Sequence, residues 1–170
     1  YGSTEVAYAS IATPTDLRQA PDSAGRPPWA TTVKIYDEKS ERELPQGQSG
    51  RIFVGNNLLF EGYTGGGGKD EIGGLLSSGD VGHVDADGRL FIDGRDDDMI
   101  ISGGENVFPG EVEDLLSGHD AVAEVAVFGV ADSEWGERLA AVIVRRPESS
   151  LDADAVRAFV KGNLASYKVP

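Results

Sequence analysis

The amino-acid sequence predicts an α+β fold, in which a strand-and-turn region precedes a small domain of mixed helices and strands. Short β-rich runs separated by Gly, Pro and Asp turns fill residues 1–94. Apolar residues at helical spacing begin after Asp98. The 170 residues are 39% apolar, which is enough to build a buried core.

Four runs in the first region have the composition of strands. They are Thr32–Tyr36, Arg51–Val54, Asp80–Val84 and Arg89–Asp93. The polar segment Asp37–Gly50 predicts a turn between the first two, and Asp85-Ala86-Asp87-Gly88 predicts a hairpin turn between the last two. The concentration of glycines in Gly62–Gly74 predicts a mobile loop.

The pattern changes to mixed α and β from Asp98 onward. Met99–Ile101 has the composition of a strand and leads into Ser102-Gly103-Gly104, a tight backbone turn. A helix is predicted over 109–118, because Pro109 suits a first helical position and the apolar residues after it share one face.

Two core strands and a second helix complete this region. Val122–Val130 and Leu139–Val144 are apolar runs of strand length. Asp152 or Asp154 begins the last helix, whose apolar residues fall on one face. The order strand, helix, strand, strand, helix predicts a small α+β domain, with a boundary near Gly94–Asp98.

Charge and cysteine content exclude several classes of protein. The chain has 15 Lys and Arg against 29 Asp and Glu, a formal net charge of −14 at pH 7. Such a surface repels phosphate backbones and anionic lipids, so nucleic acid is not an expected partner. The absence of Cys excludes disulfides and thiolate metal sites. No apolar run is long enough to span a bilayer, and we expect a cytoplasmic protein without an integral membrane segment.

Two local motifs suggest phosphate or calcium binding but fail in detail. A phosphate loop ending in Gly68-Lys69 requires Gly at position 63 and Ser or Thr at position 70, where this chain has Tyr63 and Asp70. The acidic run from Asp85 lacks the glycine position and the terminal Glu of a calcium loop. A flexible loop and a hairpin turn explain these segments.

Three further segments share one pattern. They are Tyr1-Gly2-Ser3-Thr4-Glu5, Ser77-Ser78-Gly79-Asp80-Val81-Gly82 and Gly94–Glu113. Their order and spacing resemble the adenylate-forming superfamily of acyl-CoA synthetases, nonribosomal adenylation domains and luciferases. The resemblance covers essentially the whole chain, and the segment Ile101–Pro109 is most similar to medium- and long-chain fatty-acid–CoA ligases of the actinobacterial kind.

The resemblance implies an arrangement of domains and a two-step reaction. Residues 1–94 would be the β-rich, distorted barrel-like tail of a large AMP-binding domain, 95–98 a hinge and 99–170 a small C-terminal domain. A fatty-acid carboxylate would attack the α-phosphorus of ATP in the presence of Mg²⁺, giving acyl-adenylate and pyrophosphate. Coenzyme A would then displace AMP to form a thioester. Fatty acid, ATP and coenzyme A are therefore the implied partners.

The first five residues match the family's nucleotide-binding pattern. By that pattern Tyr1 packs on adenine, and the backbone of Gly2 and Ser3 lies close to the nucleotide. Thr4 would donate its hydroxyl to the α-phosphate, and Glu5 would be an oxygen ligand of Mg²⁺. A glycine turn that enters a loop is the structural alternative for this segment.

Three later residues match positions near the ribose and the hinge. Asp80 has two acceptor oxygens, which suit the two ribose hydroxyls. Arg95 would also reach the ribose, or it would form a surface ion pair with a neighbouring Asp. Asp97 is the expected hinge residue, about which the small domain turns between the two steps; a solvated acidic turn is compatible with that role.

The turn Ser102, Gly103 and Gly104 matches the loop that meets the pantetheine arm of coenzyme A. Its glycines would let that arm pass beside the backbone, and a simple tight turn is the alternative. Many members of the family carry Lys before the glycine pair, whereas this chain has Ile101-Ser102. A phosphate contact from this strand is therefore not expected.

Other parts of the family pattern are missing from the sequence. The resemblance implies that the phosphate-binding loop lies before Tyr1 and the catalytic lysine lies shortly after Pro170. We therefore expect the 170-residue chain alone to form no acyl-adenylate, which a pyrophosphate-release assay with fatty acid and ATP checks. Two alternatives stay open, namely an adenylation domain that loads a carrier protein and a non-catalytic interaction module.

Overall fold

Two larger antiparallel sheets organise the chain, one in each of the two units Tyr1–Asp97 and Asp98–Pro170. The computed structural model describes all residues from Tyr1 to Pro170. Each unit has its own cluster of buried apolar side chains. The α+β class predicted from the sequence is confirmed, because both units mix helices with strands and strands predominate.

The first unit is built around the long strand β6. The elements are β1 (Gly2–Ser3), β2 (Ala7–Tyr8), α1 (Pro14–Gln19), β3 (Thr32–Tyr36), β4 (Gly50–Gly55), β5 (Glu71–Ile72), β6 (Leu75–Val84) and β7 (Leu90–Arg95). β6 pairs with β4 along one edge and with β5 and β7 along the other, while β3 pairs with β4. Ile52, Phe53 and Val54 of β4 are fully buried.

All four strands predicted for this unit form, with two differences. β6 begins at Leu75 rather than at Asp80, because the buried Leu76 extends the strand over the core. Two residues near the end of the predicted loop Gly62–Gly74, Glu71 and Ile72, form β5, which pairs with β6.

Helix α1 was not predicted, although its sequence carries a start signal. Thr13 and Asp16 form a capping box, in which the backbone N–H of each residue donates to the side chain of the other. Arg26 also contacts the buried Asp16. The helix has six residues, too few for an apolar period to show in the sequence.

The second unit packs two helices against a four-stranded sheet in the order β10-β11-β8-β9. The elements are β8 (Ile100–Ser102), β9 (Glu105–Val107), α2 (Pro109–Ser117), β10 (Val122–Asp132), β11 (Gly136–Arg145), α3 (Ala153–Asn163) and a short 3₁₀ turn (Ser166–Lys168). The core cluster joins both helices to the sheet through buried side chains that include Val107, Leu116, Leu139 and Val160.

The predicted helices and strands of the second unit form close to their expected bounds. Asp152 is the N-cap of α3, since its carboxylate accepts the N–H of Ala155 at 2.8 Å. β9 was not predicted and pairs with β8, so that Gly103 and Gly104 are the two residues of a hairpin turn.

None of the helices combines the length and the apolar character that crossing a bilayer requires.

Candidate functional site

Asp80 and Arg95 lie opposite each other on β6 and β7. The register of this pair shifts by one residue between Val81 and Gly82, because Asp93 is an extra residue in β7. Without that bulge Asp80 would lie opposite Gly94, and Arg95 would point to the other face of the sheet. The bulge therefore brings the Arg95 guanidinium to the Asp80 carboxylate, with Nη1 3.3 Å from Oδ1.

Two buried serines fix the backbone that leads into Asp80. The hydroxyl oxygen of Ser77 accepts the N–H of Gly79 at 3.1 Å, and that of Ser78 accepts the N–H of Asp80 at 3.2 Å. Gly79 has a φ of +84°, a conformation that favours glycine. These bonds orient the Asp80 carboxylate at the surface of the sheet.

Tyr1 contacts Asp80 although it lies 79 positions earlier in the chain. Its hydroxyl donates a hydrogen bond to Oδ2 of Asp80, so the two Asp80 oxygens face Tyr1 and Arg95 separately. Burial, and then the hydrogen bond to Asp80, raise the pKa of Tyr1 above its ordinary value. The phenol therefore stays protonated and neutral, and its ring is half-buried beside the carboxylate.

The glycine at position 2 is required by the chain itself. Gly2 and Ser3 of β1 pair with Tyr8 and Ala7 of β2, and a Cβ on Gly2 would overlap the carbonyl oxygen of Ala7. Close approach of two backbone segments thus accounts for this glycine. Thr4, at the bend of this ribbon, is exposed.

Glu5 is held by two hydroxyl groups. Tyr63 donates to its Oε1 at 2.8 Å and Ser3 donates to its Oε2 at 2.9 Å. The hydrogen bond from Tyr63 is the largest cause that lowers the pKa of Glu5, and the hydrogen bond from Ser3 is the next. Both favour the charged carboxylate. Sequence reasoning missed Tyr63, because nothing local shows that the loop beginning at Gly62 reaches a residue 58 positions earlier.

Asp97 accepts a two-pronged ion pair from Arg95. The guanidinium Nε and Nη2 lie 2.9 and 3.2 Å from the two Asp97 oxygens. The hydrogen bonds between the two side chains are the largest cause of the lowered pKa of Asp97 and of the raised pKa of Arg95. The ion pair is the structural alternative foreseen for Arg95, and Asp97 is also the last residue of the first unit. Both side chains are exposed, so the pair adds little stability.

The Ser102-Gly103-Gly104 turn belongs to the second unit and is supported by Trp135. Gly103 and Gly104 have φ values of +60° and +88°, which suit a two-residue hairpin turn. The N–H of Gly103 donates to the carbonyl of Trp135 at 3.1 Å, and a Cβ on Gly103 would overlap the indole ring. Asp132 in turn accepts the backbone N–H of Trp135 at 3.1 Å.

The residues predicted from the sequence thus fall into three groups. Tyr1, Asp80, Arg95 and Asp97 form one chain of side-chain contacts. The second group is Ser3, Glu5 and Tyr63, in which the Glu5 carboxylate accepts hydrogen bonds from the other two. The glycine turn stands in the other unit. No group of three or more His, Cys, Asp or Glu side chains gathers as a metal site.

A separate groove of about 690 Å³ lies in the second unit. Leu139, Ile143, Val156 and Val169 contribute to its largely apolar lining, and Arg138 stands among the residues around it. It contains none of the side chains predicted from the sequence.

Comparison with known proteins identifies the family. A model of the AMP-binding enzyme family matches residues 1–64, and a model of the AMP-binding enzyme C-terminal domain matches residues 111–170. The chain belongs to the adenylate-forming superfamily of AMP-binding enzymes. The resemblance inferred from the sequence is confirmed at this level.

Individual relatives show which activities occur among similar family members. The chain is 38% identical over its whole length to an uncharacterized acyl–CoA ligase, YhfT, of Bacillus subtilis, and covers 34% of it. It is 40% identical over 86% of its length to the medium/long-chain-fatty-acid–CoA ligase FadD8 of Mycobacterium tuberculosis, and covers 26% of that protein. The chain therefore spans about a third or less of the length of these relatives.

Solved structures of family members have the same fold. The o-succinylbenzoate CoA synthetase of Bacillus subtilis in complex with its acyl-adenylate intermediate matches the whole chain with a TM-score of 0.90 and 33% identity. ATP-bound MatB from Rhodopseudomonas palustris matches with a TM-score of 0.87 and 32% identity. The chain covers 35% and 34% of these two structures.

Proposed function

We propose that this chain supplies nucleotide-binding side chains to an AMP-forming acid–CoA ligase. The observation that carries the proposal is the contact chain from Tyr1 through Asp80 to Arg95, in a chain that belongs to the AMP-binding family. A carboxylate and a guanidinium side by side offer both acceptors and donors to a ribose diol. The half-buried Tyr1 ring offers a surface for stacking of adenine.

The chemistry requires a leaving group on the acid. A carboxylate is a poor electrophile because oxide would have to leave, whereas its adenylate releases AMP. ATP supplies the adenylyl group in the first step, and the thiol of coenzyme A takes the acyl group in the second. Bound nucleotide must be held in a fixed position for the carboxylate to attack in line. Tyr1, Asp80 and Arg95 would provide that positioning.

The charged form of Glu5 fits Mg²⁺, which typically uses one or two carboxylates together with substrate phosphates. Ser3 and Tyr63 hold that carboxylate in place, and Thr4 stands exposed beside it for a phosphate oxygen. When bound, Mg²⁺ would neutralise phosphate charge.

For the acid we propose a fatty acid, since the sequence of Ile101–Pro109 and the relative FadD8 favour it. The turn Ser102-Gly103-Gly104 would meet the pantetheine arm, and Asp97 would be the hinge residue. An adenylation domain that passes its acyl group to a carrier protein is the second candidate. We assign the protein to the cytoplasm, where ATP and coenzyme A are available.

Calorimetric titration of the 170-residue chain with adenosine and with AMP tests the nucleotide site. We expect both to bind, and Asp80→Asn to weaken adenosine binding about tenfold, because hydrogen bonds to a charged group are lost. The exposed Asp22 offers a matched control, Asp22→Asn, which should leave binding unchanged. Absence of adenosine binding, or equal effects of the two substitutions, would contradict the proposal.

A further inference from the structure

A small charged cavity of about 340 Å³ lies beside the Asp80–Arg95 pair. Arg51, Lys69 and Arg95 are the cations in its lining. Arg51 donates to Asp70 at 2.5 Å and to Asp96 at 2.9 Å. Arg95 forms ion pairs with Asp97 and Asp80, whereas Lys69 forms no hydrogen bond or ion pair. Lys69 is thus the cation of this cavity that is free to bind an anion.

The Lys69 ammonium lies over Gly79, in space that a larger residue there would fill. The point that a Cβ on Gly79 would occupy lies 3.2 Å from Nζ of Lys69 and 3.2 Å from Nη1 of Arg95. The two cations therefore meet over the residue that directly precedes Asp80. Gly79 keeps this space open, since any larger residue would press on both side chains.

The charge of Lys69 also acts on carboxylates at both ends of the candidate site. Its charge contributes, after closer hydrogen bonds, to lowering the pKa of Glu5 and the pKa of Asp97. Glu5 lies beside Thr4 at the expected phosphate end, and Asp97 lies beyond Arg95 at the expected ribose end. An ammonium within electrostatic reach of both is well placed for the group that links them.

We propose that Lys69 binds the phosphate of the nucleotide whose ribose lies on Asp80 and Arg95. This assignment rests on the proposed function and adds a residue that the family pattern did not supply. The chain carries a net charge of −14, so it repels nucleotides as a whole. A cation without a carboxylate partner offsets this repulsion locally, and a compact ammonium with three donors suits a phosphate oxygen.

The test compares ligands with and without phosphate on Lys69→Gln, Lys69→Arg and the unsubstituted 170-residue chain. We expect Lys69→Gln to weaken AMP binding about tenfold and to leave adenosine binding unchanged, because a charge-assisted bond to the phosphate alone is lost. Lys69→Arg should restore most of the AMP affinity. Lys39→Gln removes an exposed lysine of the same unit and is the matched control, with no change expected.

The outcomes separate the two proposals. If Lys69→Gln leaves the ratio of AMP to adenosine affinity unchanged, the Lys69 assignment is wrong while the ribose site stands. If the unsubstituted chain binds neither ligand, the nucleotide site itself is wrong and the assignment fails with it. Inorganic phosphate serves as the remaining probe: phosphate that binds with the affinity of AMP, in a Lys69-dependent way, would show a free anion site and overturn the assignment to nucleotide.

Discussion

The two units build their candidate sites from different parts of the chain. In the first unit the candidate site consists of two groups of contacting side chains, and most of these side chains are charged and partly exposed. In the second unit the candidate element is a backbone turn, held by hydrogen bonds and by one indole ring. Substitutions of the candidate-site side chains in the first unit should therefore weaken ligand binding with little loss of stability. Substitutions in the glycine turn of the second unit should mainly lower the stability of that unit.

The largest expected effects are on the free energy of unfolding, and they test whether each unit is stabilised by its own core. Leu90 of the first unit and Leu116 of the second are both buried and belong to different clusters. Leu90→Ala and Leu116→Ala should each lower the free energy of unfolding by about 2–5 kcal/mol, because each leaves a cavity. Hydrogen exchange should rise within 1–97 for the first variant and within 98–170 for the second. A uniform rise across the chain in both would contradict separate cores.

Next in size is the glycine turn of the second unit. Gly103→Ala should cost more stability than Gly104→Ala: both require a left-handed backbone, at about 1–2 kcal/mol, but only the new Cβ at 103 would overlap Trp135. Thermal unfolding of the two variants measures the difference. Adding Trp135→Ala should remove the excess for Gly103→Ala, and an unchanged difference would show that the overlap is not its cause.

Substitution of Arg95, in contrast to substitution in the glycine turn, should weaken ligand binding more than it lowers stability. Arg95→Gln removes the ion pairs to Asp80 and Asp97. Because the Arg95 side chain itself is exposed, the loss should cost less than about 1 kcal/mol of stability. It should still weaken adenosine binding about tenfold, because a charged donor to the ribose is lost. Arg89 pairs with Asp85 and Asp87 at the hairpin turn, so Arg89→Gln is the control. Loss of stability with unchanged binding in Arg95→Gln would reverse the comparison.

The smallest expected effect concerns the charge of Glu5. Tyr63→Phe should raise the pKa of Glu5, because the hydrogen bond that most favours its charged form is removed. Since the pKa of Glu5 is lowered in the folded chain, its contribution to stability is present above the unfolded pKa and is lost as pH falls through the folded value. Carbon-13 NMR titration of the Glu5 carboxyl measures the shift. Tyr167→Phe, in the second unit, should leave it unchanged.

Most of the fold could be predicted because its strands and longer helices carry clear periodic patterns. β3 was placed within its observed bounds, and α2 within one residue of its end. β9 was missed because three residues, Glu105 to Val107, hold only one buried apolar side chain. α1 was missed because it rests on a capping box rather than on an apolar stripe.

The geometry of the site could be predicted less well than its residues. A resemblance picked out Asp80 and Arg95, yet their direct contact depends on the single extra residue Asp93, which no periodic pattern reveals. Tyr63 and Lys69 lie in a glycine-rich loop whose position is set by tertiary contacts, so their proximity to Glu5 and Gly79 needed the structure.

A crystal structure of the chain in complex with AMP tests most directly whether the first unit binds the nucleotide by itself. We predict the ribose hydroxyls within hydrogen-bonding distance of Asp80 and Arg95, the adenine against the Tyr1 ring and the phosphate beside Lys69. AMP bound instead in the groove of the second unit, near Arg138, would contradict the account. So would AMP on the first unit with its ribose turned away from Asp80.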